Sequence, residues 1–337
     1  MKWIARILGV LLVAFAAFAW YALETYEDIA VDPTWAVAAS ETIPAGALTV
    51  RWTGTSTLVF SDGATTWMTD GWFSRPGPIQ LFFGEIEPDL DAIARGLAAN
   101  EVEKAAAVFP VHSHYDHAMD APEVARRTGA VLLGSESTAN IGRGWKLPES
   151  QIRVVRDREP IEVGAFTLTP IESRHFQFPD PTMRERALGD PEITEPLVPP
   201  VGAFEYKLGK AYVLHVAHPR GTFLVVGSGG FIEGGLAGFE ADIVFLGTGG
   251  IGSQTVDYRE TYWRETIGHA RPSKIIPVHW DSLTGPIEGP FLGPVRAAAF
   301  LAAGSDETYA FLKEKEAAHP DIVFETLPRY GEVVLIP

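Results

Sequence analysis

Three histidines and one aspartate fall within six consecutive residues, 112–117, as His112, His114, Asp116 and His117. The chain has only nine histidines among 337 residues, so a cluster of this density is improbable by chance. Imidazole nitrogens and carboxylate oxygens are the ligands that zinc and related divalent ions prefer. Side chains alternate in an extended segment, so His112 and His114 point to the same side. The spacing predicts one metal site or the start of two adjacent sites.

The sequence on either side of the cluster indicates how it is positioned. An apolar, strand-like run from Ala105 to Val111 leads directly into the motif, and the helix-prone segment 121–127 follows it. The alternative interpretation is a solvated loop that happens to carry histidines. A buried strand that ends on four polar ligands accounts better for these residue types in this context.

The pattern His112-x-His114-x-Asp116-His117 after a short buried strand resembles the HxHxDH signature of the metallo-β-lactamase superfamily. The resemblance extends from about Leu48 to the end of the chain. It implies an α/β fold of the four-layer αββα sandwich type, with metals at the edge between the two sheets. An N-terminal apolar helix precedes this sandwich.

Later parts of the same pattern follow in the expected order. Asp70 matches an aspartate on an early strand, His175 matches the third histidine ligand, and His279 matches the last one. The context of His175 and His279 is most similar to the branch that holds ascorbate-lactone hydrolases and N-acyl-phosphatidylethanolamine phospholipases. The resemblance implies one metal on His112, His114 and His175 and a second on Asp116, His117 and His279.

The resemblance implies a metal-dependent hydrolase in which a metal-bound hydroxide attacks the substrate. A bound divalent ion lowers the pKa of its water toward about 7. We expect an ester, lactone, amide or phosphodiester bond as the target, with an amphiphilic substrate as one option. Asp116 is the expected catalytic residue, since it would orient the nucleophile and shuttle a proton. Zinc is the expected cofactor, as one or two ions, with manganese or iron as alternatives.

One position departs from the pattern. The superfamily places a metal-bridging aspartate in a Gly-Asp-x-Gly turn, and Ser228 occupies that position here. A neutral hydroxyl offsets little of the repulsion between two divalent ions roughly 3.5 to 4 Å apart. We expect a weaker second site, or one filled when substrate or hydroxide supplies the bridge; Asp281, Asp257 or Glu233 are candidates for a compensating oxygen. The alternative function is a non-catalytic metal-binding or ligand-sensing module that retains the fold.

Composition excludes several classes of site and partner. The net charge is −16 and no basic stripe occurs, which argues against a nucleic-acid partner. The chain contains no cysteine, so disulfides, thiolate zinc sites and cysteine nucleophiles are excluded. The hydrophobic content of 46% and charged content of 21% are typical of a globular body with a sizeable core.

The N-terminus predicts an association with a membrane. Lys2 and Arg6 precede an apolar stretch from Ile7 to Ala22, and acidic residues follow it. This order is typical of a signal anchor, or of a cleaved signal peptide, over residues 1–24. Either alternative places the catalytic domain outside the cytoplasm, anchored or periplasmic. Residues 25–46 are predicted to be a linker and residues 47–337 a single hydrolase domain, whose oligomeric state the sequence leaves open.

Two further segments carry structural predictions. The segment from Phe176 to Pro200 contains six prolines after its first residue, a composition that disfavours a helix or a central strand. Because it follows His175 directly, we expect it to cover the site as a substrate lid; the alternative is a surface excursion without contact to the site. A helix is predicted over residues 294–303.

Overall fold

The structure describes residues 2–298 and 304–337 of the computed structural model, and the strands of this part of the chain form two seven-stranded sheets. The first sheet contains, in spatial order, β14 (Val333–Ile336), β1 (Leu48–Gly54), β2 (Thr57–Ser61), β3 (Thr66–Thr69), β4 (Ala107–Phe109), β5 (Val131–Gly134) and β6 (Ile152–Val154). The second contains β13 (Val323–Phe324), β12 (Lys274–Val278), β11 (Ile243–Gly247), β10 (Gly221–Val226), β9 (Ala211–His218), β8 (Phe166–Ser173) and β7 (Ile161–Val163).

The two sheets share one pairing pattern. In each, three antiparallel pairings at one side give way to three parallel pairings at the other. Helices lie in five of the six connections between parallel strands, while the segment 227–242 between β10 and β11 contains no helix. The helices are α1 (Lys2–Glu24), α2 (Pro78–Phe83), α3 (Leu90–Ala99), α4 (Tyr115–Ala118), α5 (Ala121–Thr128), α6 (Glu136–Gly144), α7 (Pro181–Leu188), α8 (Val256–Ala270) and α9 (Ser305–Ala318).

Aromatic side chains fill the space between the two sheets. Phe60 of the first sheet stacks on Phe223 of the second at a centroid distance of 4.7 Å, and Trp67 meets Phe166 edge-on at 6.0 Å. Each of these side chains is essentially fully buried, which stabilises the fold by about 1.5 to 3 kcal/mol per residue. The helices α3, α5 and α6 cover the outer face of the first sheet, while α8 and α9 cover the second. The predicted αββα sandwich is therefore confirmed.

The parallel half of the second sheet shows why its strands are apolar throughout. Every residue of β11 is buried, and so are residues 223–226 of β10. Strands covered on both faces cannot alternate between polar and apolar residues, and they form continuous apolar runs instead. These runs end abruptly at polar loops, and the loops carry the candidate site.

The N-terminal segment consists of an exposed helix, α1, and of residues after it that pack against the domain. Helix α1 is exposed along most of its length, and it is long and apolar enough to cross a membrane. After it, Tyr26 forms an antiparallel bridge with Val295, and the backbone N–H of Val37 donates to the Thr326 carbonyl at 3.0 Å. Trp35 is buried in the main core. The division into a linker over residues 25–46 and a domain from residue 47 stays a prediction, but burial of Trp35 shows that this segment packs against the domain.

The helix predicted over residues 294–303 includes residues 299–303, and this part of the prediction lies outside the described residues. Residues 296–298, at its start, are helical.

Candidate metal centre

The predicted ligands lie in segments that each follow the carboxyl end of a strand, and Asp116 and His117 fall in the short helix α4 of the first such segment. The segment 112–117 follows β4, His175 follows β8, and His279 follows β12. Two other residues of interest have equivalent positions: Asp70 follows β3 and Ser228 follows β10. Strands β3 and β4 are parallel, as are β10, β11 and β12, and β8 runs in the same direction as β10 because both are antiparallel to β9. Their carboxyl ends therefore meet at one edge of the sandwich.

The first group of donors consists of His112, His114 and His175. One ring nitrogen from each lies within 4.8 Å of the others. Nε2 of His112 is 3.1 Å from Nδ1 of His114, and the His175 ring centroid is about 5 Å from both, at 5.1 and 4.9 Å. Three imidazoles that converge in this way are a familiar ligand set for catalytic zinc.

The second group consists of Asp116, His117 and His279. The Asp116 carboxylate Oδ2 is 3.4 Å from Nε2 of both histidines, and these two nitrogens are 3.3 Å apart. The groups adjoin, since the His112 and His117 rings have a centroid distance of only 3.8 Å. All six side chains predicted from the sequence therefore come together, in two neighbouring groups.

Hydrogen bonds on the outer sides of the rings select which nitrogen faces inward. His175 Nδ1 donates to the Phe176 carbonyl at 2.8 Å, and His114 Nε2 donates to the Ala187 carbonyl at 3.3 Å. His117 Nδ1 donates to the Asp70 carboxylate at 2.8 Å. In each ring the other nitrogen keeps its lone pair and faces the centre, an arrangement typical of metal-binding histidines.

The imidazoles of the first group are held in the neutral form that metal binding needs. Burial, together with the neighbouring rings, lowers the pKa of His112 and His175 well below the usual value. Burial likewise lowers the pKa of His114 to about 4. A ligand must be deprotonated to bind a metal, so this group is ready to accept one near neutral pH.

The second group carries negative charge. Burial by itself raises the pKa of Asp116, but the adjacent His117 and His279 rings outweigh it and lower the pKa below the usual range. Burial acts to lower the pKa of His117, yet the carboxylates of Asp70 and Asp116 outweigh it and raise that pKa. Asp116 is thus ionised, and the donor chemistry of both groups fits divalent ions.

Asp70 supports the second group through the His117 nitrogen that faces away from the other donors. It is fully buried, and its carboxylate accepts from the Val111 backbone N–H at 2.9 Å as well as from His117. Its backbone has a φ of +55°, a conformation that aspartate and asparagine adopt more readily than most residues. Asp70 therefore orients His117 and fixes the end of β4 at the same time.

A second buried carboxylate, which the sequence reasoning missed, stabilises the neighbouring loop. Asp120 accepts from the backbone N–H groups of Phe73 and Ser74 at 2.8 and 2.6 Å and from the Ser74 hydroxyl at 2.8 Å. Burial raises its pKa to about 6. Its position three residues after His117, at the start of α5, was the available signal.

Ser228 lies among the ligand loops, as its alignment with the bridging position predicts. Its hydroxyl oxygen is buried, has no hydrogen-bond partner in residues 2–298 and 304–337, and borders the same cavity as the ligands. The three candidates for a compensating carboxylate do not join either group of donors in the described residues. Asp257 and Glu233 are exposed, and Asp281 accepts from the Thr55 backbone N–H at 2.6 Å. None of these three carboxylates therefore belongs to a donor group, although Asp281 lines the cavity, and Asp116 is the carboxylate that the two groups contain.

A cavity of about 260 Å³ opens onto both groups of donors. Its walls are mostly apolar and include Leu81 and Phe82 of α2, Phe204 and Trp280. The described residues that line it contain no lysine or arginine. A cavity of this size and character suits a small apolar or amphiphilic molecule.

The segment 176–200 contacts the site. It contributes Phe176, Phe178, Met183 and Ala187 to the cavity wall, so the alternative of a remote surface excursion is wrong. The segment also contains helix α7, which its proline content argued against. Pro181 stands in the first turn, where proline needs no hydrogen-bond partner for its nitrogen, and the Asp180 side chain caps the helix.

The turn between β1 and β2 holds the loop of His279. The Thr55 carbonyl accepts from the His279 backbone N–H at 2.9 Å, and the Thr55 N–H donates to Asp281. Gly54 precedes Thr55 with a φ of +134°, and a side chain there would overlap with the Asp281 carboxylate. Sequence patterns did not reveal this contact, because it joins the first strand to the twelfth.

We expect Gly54→Ala to lower the free energy of unfolding by about 2 kcal/mol or more, since the methyl group combines backbone strain with displacement of Asp281. Denaturant unfolding of the full chain measures this. Gly63→Ala is the matched control, because Gly63 also has a positive φ, +84°, but has open space around it. Equal losses in the two variants would contradict the role of the Asp281 contact.

Comparisons with known proteins agree with this topology. No protein-family model and no curated protein matches the sequence. Among solved structures, CmlA, a diiron β-hydroxylase from Streptomyces venezuelae, is similar with a TM-score of 0.51 and 12% identity, over 88% of this chain and 55% of CmlA. Igni18, a metallo hydrolase from Ignicoccus hospitalis, gives a TM-score of 0.48 and 15% identity over 85% and 97% of the two chains.

The metallo-β-lactamase fold protein YhfI from Bacillus subtilis gives a TM-score of 0.46 and 14% identity over 85% of this chain and 99% of YhfI. At such identities a likeness concerns the fold and leaves the activity and the branch open. The predicted resemblance is confirmed at that level. The chain has the expected αββα sandwich, with two sheets of matching pairing pattern, flanking helices and the candidate ligands at one shared edge, and its likeness to CmlA concerns this fold.

Proposed function

We propose that the chain is a metal-dependent hydrolase. The observation that carries this proposal is the convergence of six metal-binding side chains, in two adjoining groups, at the wall of an apolar cavity. Buried histidines with lowered pKa values and an ionised buried aspartate are costly to a fold, and such perturbed groups in a cleft favour a functional site.

The six side chains have distinct roles in this proposal. His112, His114 and His175 would hold one ion, and Asp116, His117 and His279 would hold another. A divalent ion bound there supplies Lewis-acid chemistry and makes water reactive at neutral pH. Asp116 borders the cavity, where its carboxylate accepts a hydrogen bond from the attacking water and orients it. The aromatic walls exclude bulk water, which strengthens each of these electrostatic interactions.

The cavity favours a substrate with an apolar portion. Phe82 and Phe204 line it, and Ile79 and Phe83 of the same helix α2 are exposed, Phe83 at 88% of its surface. An ester, lactone, amide or phosphodiester of an amphiphilic molecule fits these surroundings. The metal is proposed to be zinc, with manganese or iron as alternatives that elemental analysis distinguishes.

Removal of the metal is expected to abolish hydrolysis reversibly. Native protein would be assayed on chromogenic ester, lactone, amide and phosphodiester substrates, before and after treatment with a chelator. We expect at least one substrate to be turned over, activity to disappear with the metal, and added zinc, manganese or iron to restore it. Full activity in protein shown by elemental analysis to be free of metal would contradict the proposal.

One observation favours a second candidate, a non-catalytic module that binds metal and senses a ligand. Ser228 replaces the carboxylate that would bridge two ions. This candidate predicts protein that binds metal and an amphiphilic ligand but turns over none of the panel. The intact second group, with Asp116 ionised and His117 oriented by Asp70, favours catalysis instead.

We propose in addition that α1 anchors the domain to a membrane, on the outer side. Deleting residues 2–20 is expected to move the protein from the membrane fraction to the soluble fraction, with activity on a soluble substrate kept within about twofold. The deletion spares Tyr21 and Thr25, which contact Arg296 of the domain. Cell fractionation followed by immunoblotting measures the distribution.

Two outcomes would contradict the anchor. If the truncated protein stays in the membrane fraction, another surface holds it there, and exchange of Ile79 and Phe83 for serine identifies that surface as α2. If the mature protein already lacks its first residues by mass spectrometry, α1 is a cleaved signal peptide.

A further inference from the structure

We propose that the two groups of donors are unequal. In this proposal Asp116, His117 and His279 hold the first ion by themselves. The group of His112, His114 and His175 holds a second ion tightly only together with an anionic oxygen from the substrate, to which Ser228 donates a hydrogen bond. The proposal rests on the metal binding proposed above and adds the order of binding and the charge of the substrate.

Three close backbone contacts place Ser228 between the ligand loops. Gly227 lies against Val111, which precedes the first histidine of the motif, with no room for a side chain. Gly230 lies equally close to the backbone of Arg174 and His175. Gly229 in turn approaches the Gly249 carbonyl, beside the His279 ring. The segment 227–230 therefore fits between the loops that carry both groups of donors.

The Ser228 hydroxyl lacks a partner among the residues that the structure describes. Its oxygen is buried and makes no hydrogen bond to any of them, although a buried polar group without a partner costs about 1 to 3 kcal/mol. The same oxygen borders the cavity. A group held in this way is ready to donate to something that enters the cavity, and an anionic oxygen is its strongest acceptor.

The two groups of donors differ in charge. The second group contains the Asp116 carboxylate, and the buried Asp70 carboxylate stands directly behind His117. The first group consists of three neutral imidazoles. A divalent ion therefore meets two negative charges in the second group and none in the first, and Coulomb attraction favours the second for the first ion.

The two groups also differ in the hydrogen bonds that orient their imidazole rings. His117 is fixed by a 2.8 Å bond to a carboxylate. In the first group His175 has a bond of the same length to the Phe176 carbonyl, but the buried Nδ1 of His112 has no partner among the described residues. His114 is held by a longer bond, 3.3 Å, to the Ala187 carbonyl of α7. Ligands with weaker support bind a metal less tightly.

Two bound divalent ions would leave an excess of positive charge at the centre, and this excess favours anionic substrates. Two divalent ions would face one ligand carboxylate, and no described cavity residue is lysine or arginine. An anionic oxygen, such as that of a phosphodiester or a carboxylate next to the scissile bond, offsets this excess when it binds between the ions. A neutral substrate leaves the excess in place. We therefore infer that the site prefers substrates that carry an anionic group, joined to an apolar portion.

Metal stoichiometry tests the proposal without an activity assay. Metal-free full-length protein in detergent would be dialysed against low zinc concentrations, with and without millimolar inorganic phosphate, and analysed for bound zinc. We expect one ion per chain without phosphate and two with it. Ser228→Asp is expected to bind two ions in both conditions, while Ser228→Asn, of the same shape but neutral, still requires phosphate.

Two further variants identify the tight group. His114→Ala is expected to keep one ion and lose the response to phosphate. His279→Ala is expected to lose the tight ion, with at least tenfold weaker binding. Ser228→Ala is expected to need about fivefold more phosphate, the usual effect of one lost hydrogen bond.

The possible failures are distinguishable. Wild-type protein that binds two ions equally tightly without phosphate, or keeps one ion in both conditions, overturns the inference but leaves the hydrolase proposal intact. Protein that binds none of zinc, manganese and iron in any condition overturns both. If Ser228→Asp fails to fold by circular dichroism, the phosphate response of the wild type and the two histidine variants still decides the matter.

Discussion

Replacement of His114 by alanine is expected to lower kcat/KM by at least about 10³-fold. The substitution removes Nδ1, one of three ring nitrogens in the first group, and two imidazoles retain an ion poorly. An ion that stabilises charge in the transition state contributes several kcal/mol, and each 1.4 kcal/mol corresponds to about a factor of ten in rate. Steady-state kinetics on the best substrate of the panel measures the loss.

His215→Gln is the matched control, because this histidine lies on β9 and bonds the Glu240 carbonyl rather than a ligand. We expect this variant to keep at least half of the activity, with both proteins unfolding at similar temperatures. More than about a tenth of wild-type activity in His114→Ala, with the protein folded, would show that the first group does not carry the reaction.

The ligands were predictable because their signal is local. The spacing of His112, His114, Asp116 and His117 after an apolar run is visible in a short window, and strand periodicity adds the direction of the side chains. The same holds for the apolar strands, whose covered faces produce continuous runs such as β11. Sequence order then located His175 and His279 through the resemblance.

The supporting contacts were not predictable because they join distant parts of the chain. The bond between Thr55 and His279 depends on the stacking of the two sheets, and the bridge between Tyr26 and Val295 joins the N-terminal segment to the segment after β12. No residue pattern near Trp35 in the sequence indicates that its side chain packs into the hydrophobic core. Such contacts are consequences of the folded arrangement, and residue patterns carry little information about them.

The positions of the three carboxylates considered as replacements for the bridging aspartate also depend on contacts between distant parts of the chain. Asp281 follows His279 by two residues, which suggested that it faces the metals, but its carboxylate turns to the Thr55 backbone. Proximity in sequence did not predict the direction of that side chain. The exposed positions of Asp257 and Glu233 likewise depend on where α8 and the loop after β10 pack.

The substitution Asp70→Asn is expected to weaken metal binding about 10- to 100-fold, the usual cost of losing a group that orients a metal-binding histidine. Asparagine keeps the shape and tolerates the φ of +55° at this position, so the backbone need not change. Its amide offers one acceptor oxygen to two donors, His117 Nδ1–H and the Val111 N–H. One donor is left unpaired in a buried place, which lowers the free energy of unfolding by about 1 to 3 kcal/mol.

Asp120→Asn separates the effect on the metal from the effect on the fold. Asp120 is as completely buried as Asp70 and accepts three hydrogen bonds, but all of them come from Phe73 and Ser74 and none from a ligand. We expect this control to lose stability while keeping its metal affinity within about threefold, by zinc titration against a competing chelator. If both variants lose metal affinity equally, general loosening of the fold explains the result; a selective loss in Asp70→Asn shows that one buried carboxylate sets the direction of His117.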